Sequence, residues 1–79
     1  MTQQDIFDVI VRHTRDVLPN LTDHPFQSGD SLKALGANSV DRADIIMMTL
    51  ETLALNVPLV EMARADSIGN LAEIMYAKG

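Results

Sequence analysis

From Gln3 to Leu18 the apolar positions recur with a helical period. Ile6, Phe7, Val9, Ile10, Val17 and Leu18 share one broad face, and Asp8, Arg12, Arg15 and Asp16 fall opposite. This spacing predicts a helix over 3–18. Thr2 stands where a cap is needed, with Asp5 three residues on in a capping-box position, and Pro19 ends the element. Residues 19–37 then lose the period. Pro19, Asn20, Asp23, Pro25, Ser28, Gly29 and Asp30 are turn formers. A connection this long is unusual in a compact fold and is often functional. Phe26, Leu32 and Leu35 are apolar enough to pin it down, and Ser31 to Leu35 has the length of one helical turn.

Gly36 breaks the chain again, and a second helix is predicted from Ser39 to Leu55 with Asn38 as its N-cap. On a helical wheel Ala43, Ile46, Leu50, Leu53 and Ala54 form the expected core stripe. Val40, Met47 and Met48 point elsewhere, interleaved with Asp41, Asp44 and Glu51, so this helix is apolar on more than one side. Asn56 and Pro58 mark the next boundary, with Pro58 suited to a first helical position ahead of a short helix over 59–64. Asp66 or Ser67 caps a last helix running to Tyr76, whose Ile68, Leu71, Ile74 and Met75 face inward. Strand-like alternation is missing throughout. The expected fold is all-α: a small bundle of three longer helices and one short one, a single domain over 1–79.

Composition narrows the function. Six Lys and Arg against eleven Asp and Glu give a net charge of −5, the reverse of a nucleic-acid-binding footprint. With no cysteine, disulfides, thiolate chemistry and Cys-based zinc sites are excluded, and two histidines without ligand spacing leave no metal site. No apolar run is long enough to span a membrane and no signal peptide opens the chain, so a cytoplasmic monomer is expected.

Three short polar residues precede a serine: Asp30-Ser31, Asn38-Ser39 and Asp66-Ser67. Helix capping alone accounts for such pairs. Ser39 differs in context, with a glycine and a long connection before it and the longest predicted helix after it. Helix-start N–H groups and the helix dipole favour an anion there, by about 0.3–1 kcal/mol when exposed. A serine hydrolase would need a Gly-x-Ser-x-Gly elbow with acid and histidine partners. Ser39 is flanked by Ala37-Asn38 and Val40-Asp41, and no general base lies near it in sequence. His13 and His24 read as solvent-exposed or locally hydrogen-bonded.

The run Leu35-Gly36-Ala37-Asn38-Ser39-Val40-Asp41 resembles the attachment motif of acyl carrier proteins, Leu-Gly-x-Asp-Ser-Leu/Ile. The likeness extends over nearly the whole chain in length, acidity, the long first connection, the second helix and the Asp66-Ser67-Ile68 start of the last. Residues 36–44 are similar to stand-alone carriers of bacterial polyketide pathways. More narrowly, they resemble donors of an acetyl-derived unit in β-branching cassettes built around an HMG-CoA-synthase-like enzyme.

The resemblance implies a non-catalytic carrier for antibiotic-type polyketide biosynthesis. Ser39 would bear a covalent 4′-phosphopantetheine from coenzyme A, holding acetyl- or malonyl-derived groups as thioesters. It implies a phosphopantetheinyl transferase, an acyltransferase, a ketosynthase-like decarboxylase and an HMG-CoA-synthase-like enzyme as partners. Asn38 departs from the family's Asp and removes a negative charge beside the phosphate. Asn38, Val40, Asp41, Asp44, Met47, Met48 and Glu51 form the expected partner-binding strip: acidic side chains steer basic partners and methionine adapts to several surfaces. Arg64 offers an opposite charge nearby. The alternative is an acidic helical adaptor without a prosthetic group, which explains the charge and the mixed face but not the Gly-x-Asn-Ser opening of the second helix.

Overall fold

The structure, a computed structural model, describes residues 1–78. It is helical, with α1 at Gln3–Val17, α2 at Ser39–Thr52, α3 at Leu59–Met62 and α4 at Ile68–Lys78; a 3₁₀ turn occupies Pro19–Leu21. No strand occurs among the described residues. None of their helices is long and apolar enough to cross a membrane. The α1 helix packs against both α2 and α4, and α3 leans on α2.

Local chemistry sets the helix starts. Thr2 Oγ1 accepts the Asp5 N–H at 3.1 Å, and the Asp5 carboxylate accepts the Thr2 N–H at 2.9 Å, completing the predicted capping box. The core is built from Ile6, Ile10, Ile45, Leu50, Met62, Ile68, Leu71 and Met75 with their buried neighbours. Full burial of one such side chain stabilises by about 1.5–3 kcal/mol.

Two buried threonines lie within this core. Thr14 donates its hydroxyl to the Ile10 carbonyl at 2.7 Å, and Thr49 donates to the Ile45 carbonyl at 2.8 Å. Each hydroxyl is satisfied within its own helix, so burial leaves neither of the two unpaired.

The stripe predicted on α2 is corrected. Ile45, Thr49 and Leu50 are its buried residues, Ala43, Ile46 and Leu53 are half-buried, and Ala54 is exposed. The helix presents two faces. Thr52, one turn beyond Thr49, meets His13 of α1, so the Ile45–Thr49–Thr52 line faces α1. Ile46 turns toward Met62 and Leu71. The α2 helix also stops at Thr52 rather than Leu55. Leu55 N–H reaches the Leu50 carbonyl at 2.9 Å and Ala54 N–H the Glu51 carbonyl at 3.1 Å, a Schellman closure with Ala54 at φ +55°.

The same closure ends the short turn before α2. Leu35 N–H bonds the Ser31 carbonyl, as the predicted single helical turn requires; Gly36 N–H then bonds Lys33 and Ala37 N–H bonds Leu32. Gly36 takes φ +104°, a conformation that side chains disfavour.

The long connection is held as expected at Leu32, which is buried, and at Phe26 and Leu35, which pack half-buried on the core. Arg15, predicted on the polar face, instead reaches back to it. Its Nη2 donates to the His24 carbonyl at 3.1 Å and its guanidinium sits 5.1 Å from the Phe26 ring centre. Asp30 Oδ2 accepts the Gln27 N–H at 2.9 Å and lies 3.1 Å from His24 Nε2. The Gln27 N–H first, and then His24, hold the Asp30 carboxyl below its ordinary 3.8.

Two outcomes follow from these backbone and loop contacts. Gly36→Ala is expected to destabilise by about 1–3 kcal/mol, since no atom would crowd the new Cβ and the cost is conformational. Ala54→Gly is expected to stabilise by about 0.5–1 kcal/mol. Urea midpoints of both variants would refute the common closure if the signs were reversed. A depressed carboxyl pKa adds stability above the unfolded value, and that stability is lost as pH falls through the folded one. Asp30→Asn should therefore be less stable than the parent at about pH 7, with the gap closing toward about pH 2. A gap that persists in acid would count against the Asp30 contacts.

Candidate functional site

Leu32 and Ala37 are both buried, so the turn that Gly36 closes is anchored at each end. The chain leaves it into Asn38, with φ −77° and ψ −179°, and then into the first turn of α2. Asn38 Oδ1 accepts the Asp41 N–H at 2.8 Å, and Asp41 Oδ2 accepts the Asn38 N–H at 3.3 Å. Asn38 thus forms a full capping box without a charge of its own. Arg42, three residues beyond Ser39, donates Nη1 to the Ala37 carbonyl at 2.8 Å and ties the helix to the loop.

Hydrogen-bond partners separate the three serines. Ser31 Oγ accepts the Ala34 N–H at 3.3 Å. Ser67 Oγ accepts the Asn70 N–H at 3.1 Å and caps α4, which decides between Asp66 and Ser67. Ser39 is exposed, and its hydroxyl has no hydrogen bond to any described residue.

The helix starts differ in the same sense. At α4, Ile68 N–H bonds the Asp30 carbonyl at 2.8 Å and Gly69 N–H the Ser28 carbonyl at 2.9 Å, with Gly69 pressed so close that a Cβ would lie 2.7 Å from Ser28 Cβ. At α2, the capping box uses the Asn38 and Asp41 N–H groups. The N–H groups of Ser39 and Val40 are left without a partner inside the helix. The start of α2 therefore offers a free hydroxyl and two open donors at the positive end of a helix dipole.

No base attends that hydroxyl among the described residues. His13 Nε2 lies 2.7 Å from Thr52 Oγ1, at the far end of α2. Thirteen residues of helix put it about 20 Å from Ser39. His24 is held with Asp30, as described above. Both histidines are half-buried rather than solvent-exposed; His24 makes a local bond as expected, whereas His13 bonds across to α2. No cluster of three His, Asp or Glu side chains converges as metal ligands among the described residues.

Below Ser39, α2 carries the mixed strip. Val40 is 66% and Met47 53% exposed, and Asp44 and Glu51 lie in solvent beside them. Met48 is half-buried, and Asp41 is half-buried with its carboxylate engaged in the capping box. Arg64 is exposed in the turn after α3. Leu59 and Val60 are exposed as well, Val60 at 74%. Sequence reading gave them no role. Val60, two residues before Met62, falls on the opposite side of this single turn; Leu59 shares the side of Met62, and nothing in the spacing signalled its exposure.

No family model matches the chain. It is 47% identical over 78 residues to the polyketide biosynthesis acyl-carrier-protein AcpK of Bacillus subtilis, covering 99% of this chain and 95% of the relative. It is 37% identical over 67 residues, 85% of this chain, to hispidin synthase of Neonothopanus nambi, of which the match spans 4%. Among solved structures it matches a chain in the crystal structure of the curacin biosynthetic pathway HMG synthase in complex with acetyl donor-ACP. The TM-score is 0.94 and the identity 46%, with 99% of this chain and 100% of that one covered.

If Ser67 is a structural cap and Ser39 is not, their alanine variants should separate. Ser67→Ala is expected to lose about 0.5–2 kcal/mol of stability. Ser39→Ala should change it by no more than about 0.5 kcal/mol. Equal losses in urea titrations would mean that the Ser39 hydroxyl is structurally engaged after all.

Proposed function

The chain belongs to the acyl carrier proteins of polyketide biosynthesis, and from that premise we propose that Ser39 is its attachment site for 4′-phosphopantetheine. The observation that carries the reading is the state of the Ser39 hydroxyl: exposed, and bonded to no described residue. The surrounding residues fit the phosphodiester. The N–H groups of Ser39 and Val40 are open to it, and Asn38 caps the helix while remaining neutral. When bound, the group supplies a thiol that holds an acyl unit as a thioester.

The protein's own part is presentation. Gly36 and the buried Ala37 aim the start of α2 outward, and the Asn38–Asp41 box keeps its first turn wound. Among the described residues no side chain is positioned to activate the hydroxyl, which supports a carrier modified and loaded by separate enzymes. Such a carrier does no chemistry of its own.

Partners are proposed to read the strip below Ser39. Asp44 and Glu51 steer a basic surface, and Val40 and Met47 supply apolar contact. Met48 lends an adaptable edge, while Asn38 and Asp41 set the shape and charge beside the phosphate. The likeness to an acetyl donor-ACP solved with an HMG synthase supports a donor role in β-branching, with an HMG-CoA-synthase-like enzyme as the receiving partner. A phosphopantetheinyl transferase, an acyltransferase and a ketosynthase-like decarboxylase complete the proposed set, and the acyl group is acetyl- or malonyl-derived. The proposed setting is cytoplasmic.

Coenzyme A and a phosphopantetheinyl transferase of broad specificity should add one phosphopantetheine to the parent protein, read by intact mass. Ser31→Ala and Ser67→Ala should still be modified, and Ser39→Ala should not. An unmodified parent, or a modified Ser39→Ala, would overturn the assignment.

A further inference from the structure

The side-chain amide of Asn38 divides between two atoms of opposite chemistry. Only its oxygen can accept the Asp41 N–H, so that 2.8 Å bond fixes Oδ1 inside the capping box. The amino group is thereby left outside the box. Its two N–H donors bond no described residue, and Asn38 is exposed. The starts of α1 and α4 are capped differently. Thr2 and Ser67 each use a hydroxyl oxygen, and neither brings a separate nitrogen donor.

The first turn of α2 already holds a carboxylate. Asp41 Oδ2 stands 3.3 Å from the Asn38 backbone nitrogen, and Asp44 lies in solvent one turn further on. An aspartate at position 38 would cap the helix as well as asparagine does. It would also present an oxygen where Nδ2 now stands, and would add a negative charge next to the residue proposed to carry a phosphate.

We infer that Asn38 is a positioning residue for the prosthetic group: Oδ1 holds the helix start while Nδ2 donates to a non-bridging oxygen of the phosphodiester on Ser39. The inference rests on Ser39 being the tether. Asn38 and Ser39 are consecutive, with Cα atoms about 3.8 Å apart, so donor and ester share one short piece of backbone. The cap has already ordered this side chain, and a second bond from it costs little further freedom. The amide joins the open N–H groups of Ser39 and Val40 as a third source of donors, all neutral. Hydrogen bonds to a charged acceptor are the stronger kind, so a phosphodiester suits this set better than a neutral group would.

The test uses ¹⁵N-labelled protein with and without phosphopantetheine, each state verified by intact mass. When the arm is attached, one Asn38 Nδ2 proton is expected to move downfield and to exchange more slowly with water. The side-chain amide of Asn70, whose Oδ1 accepts the Asp66 N–H near the start of α4, is the internal reference and should not move. Urea titrations supply an independent reading, with each protein compared with its own unmodified form. Attachment should lower the folding equilibrium constant of Asn38→Asp by roughly two- to five-fold relative to its effect on the parent. High salt screens repulsion between exposed charges, so this gap should narrow there without closing. An Asn38 amide that ignores the arm would overturn the inference. So would a gap that closes fully at high salt, because the phosphate would then sense charge alone. Failure to attach the arm at all would instead strike the Ser39 assignment, and the mass check keeps the two failures apart.

Discussion

The exposure of Ser39 depends on the backbone hydrogen bond from the Ala37 N–H to the Leu32 carbonyl, 3.0 Å long. It closes the turn before α2 and needs the φ of +104° that Gly36 supplies. Because Leu32 and Ala37 are both buried, the turn is fixed to the core at each end. The chain can then leave only outward, into Asn38 and the first turn of α2. Arg42 adds a second clamp by bonding the Ala37 carbonyl. A flexible junction would blur where α2 begins. This one delivers a single hydroxyl to solvent at a defined helix terminus.

The chain's two longest later helices treat their first turns in opposite ways. Loop carbonyls from Ser28 and Asp30 cover the start of α4, and Ser67 consumes its own hydroxyl as a cap. That end is finished, and it serves to dock the long connection. The start of α2 is capped by a side chain that is not the serine, so Asn38 does the structural work and Ser39 is left unengaged. A phosphate ester at Ser39 meets open N–H groups; one at Ser67 would break a cap. The same division keeps the exposed strip of Val40, Met47, Asp44 and Glu51 on the helix that starts at the proposed tether.

Much of this was legible in the residues. Capping boxes are local, so Thr2-Asp5 and Asn38 could be read from spacing alone, as could the single turn at Ser31–Leu35. Tertiary choices were less visible. The wheel shows α2 apolar on more than one side but puts Ile45 outside its core stripe; the helix is packed from two sides, and Ile45 with Thr49 faces α1. Thr14 and Thr49 look polar until their hydroxyls turn back onto their own helices. Arg15 carries a charge that pattern reading sends to solvent, yet its long side chain reaches the His24 carbonyl and Phe26. Ala54 favours helix, and the left-handed closure that ends α2 there has no glycine to announce it. Helix-start context, motif and resemblance singled out Ser39; the hydrogen-bond partners of Ser31 and Ser67 add that, of the three hydroxyls, that of Ser39 is the unengaged one.

That reason can be put to the three hydroxyls at once, in the unaltered protein. Trypsin separates them, because cleavage after Arg15, Lys33, Arg42, Arg64 and Lys78 leaves Ser31 in peptide 16–33, Ser39 in 34–42 and Ser67 in 65–78. Fragment masses of protein isolated from cells that are actively making product should locate a phosphopantetheine in peptide 34–42 and in neither of the others. An adduct in peptide 16–33 or 65–78, or none in any, would contradict the central claim that the unengaged hydroxyl at the start of α2 is the tether.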